Sequence, residues 1–224
     1  MKINTVRKLL FLVAVSFTQI THAQPTEPRP HPTSPIPAEV AFGADGWSLQ
    51  LIIDKKIAAD SRFGFFALSY LRADYDNDQN KRESMNLALI KYDLIKHVSL
   101  LSGAIVNSQW GFRPYAGSQF SLFGKNFMGA LITGTFLTET HNYEALAMAE
   151  YTPAIAGNWS LFTRVQGLYN QNSETGKHDR SHLYGRLGLS YNGFTFGGAV
   201  NFDWFGPEKI EERLFGVFVR TMLW

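Results

Sequence analysis

The sequence predicts an all-β chain: an antiparallel, up-and-down transmembrane β-barrel of about 12 strands, with 10 as the alternative count. Three observations carry this. Period-two alternation recurs from about residue 45 onward, which is the signature of strands. Several segments present an apolar face closed by aromatic residues at its ends, with charged residues on the opposite face. A targeting segment precedes them at the amino end.

Residues 1–23 read as a secretory signal peptide. Lys2, Arg7 and Lys8 form a basic start, residues 9–17 are an apolar core, and Thr21-His22-Ala23 ends on a small residue before Gln24. The apolar core is too short for a spanning helix, which needs ~20 residues. No Cys follows it, so a lipoprotein anchor is excluded. Its removal takes Lys+Arg from 21 to 18, against 19 Asp+Glu. The mature chain is therefore near neutral, which argues against a nucleic-acid partner. The chain has no Cys at all, which excludes a disulfide scaffold and Cys-based metal sites.

Residues 24–38 hold Pro25, Pro28, Pro30, Pro32, Pro35 and Pro37, six of the nine prolines in the chain. Such a segment is extended and packs no core, and it reads as a linker. The barrel is expected over residues 39–224.

The clearest strand is residues 143–151. Tyr143, Ala145, Ala147, Ala149 and Tyr151 share one face; Glu144, Leu146, Met148 and Glu150 share the other. Tyrosine rings belong at the two lipid–water interfaces with apolar side chains between them. At ~3.3 Å per residue and a ~40° tilt, the separation of the two rings is roughly 20 Å of membrane height. The following segments repeat the plan. Trp159 and Tyr169 bracket one apolar face, Tyr191 ends the next, and Phe194 and Trp204 bracket a third. Asn192-Gly193 between the last two is a type I′ hairpin signal, because both central residues need φ > 0.

The segments run over 47–54, 61–73, 84–94, 98–107, 112–123, 127–138, 142–152, 158–170, 181–191, 194–204 and 213–224. That odd total needs one more strand or one fewer, since a barrel with both termini on one side has an even number. A short strand over 38–44 makes twelve. Over 84–101, Leu87, Ile90, Leu94, Val98 and Leu101 also fit a helical stripe. Connections at 95–97, 124–126 and 192–193 are short, while polar stretches at 74–84, 170–181 and 203–213 read as long loops at the other end.

The chain closes on Phe215-Gly216-Val217-Phe218-Val219-Arg220-Thr221-Met222-Leu223-Trp224. A last strand ending on an aromatic residue resembles the carboxy-terminal assembly signal of bacterial outer-membrane β-barrel proteins. The resemblance covers about ten residues, and Trp224 replaces the Phe usual there. It implies a bacterial outer-membrane location, with the amino-terminal linker in the periplasm. It also implies contact with outer-membrane lipids and lipopolysaccharide, and recognition of the last strand by the barrel assembly machinery. The aromatic girdle is then Tyr143, Tyr151, Trp159, Tyr169, Tyr191, Phe194, Trp204 and Trp224. A soluble sandwich would have no use for aromatic rings at both ends of its outer faces.

With polar faces inward, the lumen-lining candidates are Glu144, Glu150, Arg164, Gln166, Tyr184, Arg186, Asn201, Asp203 and Arg220, with Arg113, Tyr115 and Gln119 from an earlier strand. Buried charges must be paired, so these residues either fill a narrow barrel or line a narrow channel for small polar solutes. The alternatives are an enzyme that modifies outer-membrane lipids or peptides, and a structural or adhesive barrel that acts through its loops. No Gly-x-Ser-x-Gly, His-Glu-x-x-His or phosphate loop is present, so no catalytic residue is assigned. Asp179, Ser181 and His182 sit close in sequence, but triad members meet in space rather than in sequence. Asp74-Tyr75-Asp76-Asn77-Asp78 starts like a calcium loop, yet Gln79 stands where Gly is required and Met85 where Glu is. No metal or cofactor is expected.

Overall fold

In a computed structural model, the described residues are 35–76, 78, 82–138 and 140–223. The segments expected to be a signal peptide and a linker, up to residue 34, and Trp224 lie outside them.

Thirteen strands form one antiparallel sheet that closes on itself. They are β1 (Ile36–Gly43), β2 (Gly46–Lys56), β3 (Phe63–Asp74), β4 (Glu83–Ile95), β5 (Val98–Asn107), β6 (Gly111–Phe123) and β7 (Phe127–Phe136). Next come β8 (Tyr143–Tyr151), β9 (Ala154–Ala156), β10 (Trp159–Gln171), β11 (His178–Tyr191), β12 (Phe194–Phe205) and β13 (Ile210–Leu223). β9 is a three-residue piece that extends the pairing of β8 along β10. The ring proper therefore has twelve members, and the strand over residues 38–44 exists as β1.

Closure is made by β1 against β13, in register from Ile36↔Leu223 to Gly43↔Gly216. The backbones approach closely there. A Cβ on Gly216 would be driven into the Phe42 carbonyl oxygen, so only glycine fits this point of the seam.

Residues 84–101 are strand, not helix: β4 pairs with β3 on one side and β5 on the other. Neighbouring strands on both sides satisfy every amide, and that overrides a helical spacing of leucines. Asn192 and Gly193 both have positive φ, 48° and 86°, as the hairpin signal required. The polar stretches 170–181 and 203–213 expected as long loops are in large part strand, whereas 74–84 is strand only at its two ends. β3 runs to Asp74, β4 starts at Glu83, β11 starts at His178 and β13 starts at Ile210. The ladder continues past the membrane band into water, so polarity there marks the rim rather than a loop.

The outward face is apolar around the ring. Leu187, Val165, Val217, Phe196 and Leu131 are all exposed. Tyr151, Trp159, Tyr191 and Phe194 gather near the end where the described chain begins and ends, at Ile36 and Leu223. Tyr143, Tyr169 and Trp204 gather at the opposite end, where Tyr169 and Trp204 flank Ser181. Trp204 is half-buried, because it stacks on Phe202 with ring centroids 6.1 Å apart. An exposed apolar band between two aromatic rims is the surface of a protein solvated by lipid.

Two outcomes test this surface. Leu187→Arg places a cation mid-strand on the outer face and is expected to cost about 2–4 kcal/mol in denaturant unfolding from phospholipid vesicles; a cost near zero would remove that face from lipid. Gly216→Ala is expected to abolish the heat-modifiable gel mobility of a closed barrel, because the seam cannot form.

Candidate functional site

The site is the inside of the barrel. All nine lumen candidates, Glu144, Glu150, Arg164, Gln166, Tyr184, Arg186, Asn201, Asp203 and Arg220, are buried. Tyr115 and Gln119 join them, while Arg113 is half-buried and lays its guanidinium over Trp110, 4.2 Å from the ring centroid. The pleat explains the placement: on β10, β11 and β12 alternate residues face inward, and in these strands the inward set is the polar one.

Four of these charges meet at one node with a fifth, Glu39. Glu39 of β1 accepts from Arg164 at 2.6 Å and from Arg186 at 2.8 Å. Glu150 accepts from Arg220 at 3.1 Å and lies 3.9 Å from Arg164. Arg186 also donates to Asn201 Oδ1 at 2.7 Å. Arg220 packs over Phe162, 4.6 Å from its centroid. Glu39 was not among the sequence candidates. Only its exchange with strands three and four places round the ring shows that it is the shared acceptor.

Above the node, Gln50 donates to Gln166 at 3.0 Å, and Gln166 meets His182 at 3.3 Å. Tyr184 stacks on His182 and donates to Asp203 at 2.9 Å. Arg180 then joins Asp203 at 3.0 Å to Glu83, while Arg72 bridges to Glu212. At the end bearing the termini, Lys91 pairs with Asp54, Gln119 donates to Asp54 at 2.8 Å, and Lys56 meets Asp93 at 2.8 Å. Glu144 has no cationic partner among the described residues; it accepts from Asn170 at 2.9 Å.

The other half of the interior corrects the expectation of a polar lumen. Phe66, Leu68, Leu87, Leu89, Leu101, Ile105, Tyr115, Ile132 and Phe136 form one buried cluster on β3 to β7. In those strands both faces are apolar, so alternation alone does not say which face turns inward.

The barrel is also flattened. Glu83 on β4 and Arg180 on β11 stand six strands apart in either direction round the ring, yet they form an ion pair. A circular twelve-strand barrel is roughly 24 Å across, more than the combined reach of an Arg and a Glu side chain. The wall must draw in along this chord. Beside Gln50, Tyr70, Leu87 and His182 lies a cavity of about 20 Å³, room for a water or two.

The architecture is that of bacterial outer-membrane β-barrels: a closed even-numbered ring, a lipid-facing band between aromatic rims, and a polar interior. No family model and no curated protein sequence matches the chain. Among solved structures it is similar to the KdgM porin, with a TM-score of 0.44 and 14% identity over 84% of this chain and 98% of that one. It is similar to the NanC porin, with a TM-score of 0.49 and 10% identity over 86% and 100%. A BenF-like porin from Pseudomonas fluorescens Pf-5 gives a TM-score of 0.40 and 11% identity over 80% and 68%.

Removing the shared acceptor tests the node. Glu39→Ala leaves Arg164 and Arg186 without their common carboxylate and is expected to cost about 3–5 kcal/mol in unfolding from vesicles. Glu39→Gln keeps an acceptor and is expected to cost less.

Proposed function

We propose that this protein is an outer-membrane channel for small polar solutes, narrow and held shut at rest by its own ion pairs. One observation carries the reading. Paired charges and amides line the interior along β8, β10 to β13 and β1 and reach across to β2, β4 and β6 at the two mouths, while the middle of the β3 to β7 wall is packed with Phe and Leu.

That contrast matters energetically. A buried ion pair is no more stabilising than apolar packing of the same volume, and is often less so. This barrel fills half its interior with apolar side chains. A barrel built only to be filled has no reason to keep a polar column along the other half. A polar path has such a reason, because a solute crossing it needs hydrogen-bond partners at every step.

Several donors along the column also lack a protein acceptor among the described residues. The Nε atoms of Arg164, Arg180 and Arg220 are buried and unpartnered. Water or the oxygens of a passing solute would satisfy them. The Arg180–Glu83 pair crosses the interior at the rim away from the termini, where it would act as a bar across that mouth.

In this reading the amino-terminal Pro-rich segment lies in the periplasm and the outer band contacts outer-membrane lipid and lipopolysaccharide. The last strand, which closes the ring against β1, is the part that the assembly machinery would engage.

Single-channel recording in planar bilayers tests the proposal. Folded protein is expected to give small, discrete conductance steps, and their absence from the heat-modifiable form would overturn the channel. Glu83→Gln, which removes the charge holding Arg180 across the mouth, is expected to raise the unit conductance above wild type.

A further inference from the structure

The second polar constellation lies on the outside of the barrel. In β11 the inward residues are Tyr184, Arg186 and His182, so regular alternation would turn His178 inward too. It does not. Between Asn170↔Arg180 and Gln171↔His178 the register slips by one residue, leaving Asp179 as a bulge. The bulge swings His178 to the outer face, opposite Gln171 and against Tyr169, with ring centroids 5.8 Å apart. Bulges of this kind re-aim side chains and concentrate near active sites.

On that face His178 meets Ser181. Its Nε2 lies 2.9 Å from Ser181 Oγ, and its Nδ1 lies 2.6 Å from the Gly206 carbonyl oxygen. A carbonyl can only accept, so Nδ1 carries the ring proton. Nε2 then holds a lone pair, and the Ser181 hydroxyl must donate to it. This is the order of groups that activates a serine: nucleophile, base, and a third group that orients the base and sets its tautomer. The third group is held in place as well. Gly206 N donates to the Asp179 carbonyl at 2.7 Å, so the bulge and the β12–β13 turn clasp each other. His178 is buried and Ser181 half-buried.

The depth of the pair indicates a substrate. Ser181 stands between Tyr169 and Trp204 in the ladder, at the aromatic rim away from the chain termini. Two residues further toward the midplane, Leu183 is 45% exposed in the apolar band. The aromatic rim marks the headgroup level of the bilayer, which is where the carboxyl esters of membrane lipids lie, with their acyl chains along the band below.

We infer that Ser181 and His178 form a nucleophile–base pair that hydrolyses an acyl ester of a membrane lipid at the outer aromatic rim. Ser181 Oγ attacks the ester carbonyl as its proton passes to His178 Nε2. The tetrahedral intermediate collapses to a seryl ester, and the departing alcohol takes the proton from Nε2. Water then attacks the seryl ester, again giving a proton to Nε2. The fatty acid leaves, and the proton returns to Ser181. His182, the histidine closer to Ser181 in sequence, takes no part, because it stacks on Tyr184 inside the barrel.

The test uses the folded full-length barrel in detergent and a fluorophosphonate probe, with folding checked by heat-modifiable mobility. One adduct is expected on Ser181, absent in Ser181→Ala and formed about 100-fold more slowly or worse in His178→Ala. Fatty acid release is then measured from phosphatidylethanolamine vesicles and, separately, from lipopolysaccharide. Release from either one, lost in Ser181→Ala, supports the inference and identifies the source of the ester. No adduct on Ser181 in the folded form, or an adduct with no release from either lipid, overturns it.

Discussion

A strand in hydrocarbon cannot leave its edge amides unpaired, and the pairing of β1 with β13 is what meets that constraint here. Everything else in the molecule is downstream of that seam. It sets the strand number at an even value, brings both ends of the described chain to one rim, and makes Gly216 necessary where two backbones nearly touch. Once the ring is closed, each strand has one face toward lipid and one toward its neighbours across the lumen. The pleat then sorts every residue of β10 to β13 into one or the other.

The interior is governed by the cost of isolating charge. Removed from water, a carboxylate or guanidinium is tolerable only with partners, and this barrel supplies them by sharing. Glu39 serves two arginines, Glu150 serves two, and Asp203 serves Tyr184 and Arg180. Across the lumen, the flattened wall between β4 and β11 brings Glu83 to Arg180, which Asp203 shares. The same feature ties packing to function. In the proposed channel, a wall drawn in by ion pairs closes the space that a solute would use, so opening a path would require breaking a pair.

The exterior shows how a single inserted residue changes chemistry. Without the bulge at Asp179, His178 would be one more buried polar group among those of the lumen. With it, the imidazole stands on the lipid side, its tautomer set by the Gly206 carbonyl, beside a serine that alternation already placed outside. The two faces of one strand thus carry two separate polar systems, divided by the thickness of the sheet.

Alternation was enough to read the barrel class, because period two is a local property of any pleated strand; in the structure Arg164 and Asn201 are buried. It was not enough where both faces are apolar. Phe66, Leu89 and Ile132 give no sign of which side they take, and the packed half of the lumen was invisible for that reason. Nor could it show that the ladder takes in residues 178–181 and 210–213, since polarity marks contact with water whether the backbone is loop or ladder. Ion pairs such as Glu83–Arg180 join residues 97 positions apart, and the slip at Asp179 belongs to two strands at once. The sequence by itself determined that the chain forms alternating strands and that these make a barrel. The tertiary structure alone decided which charges share a partner, how wide the interior is and which histidine meets Ser181, because these depend on register and on distances round a closed ring.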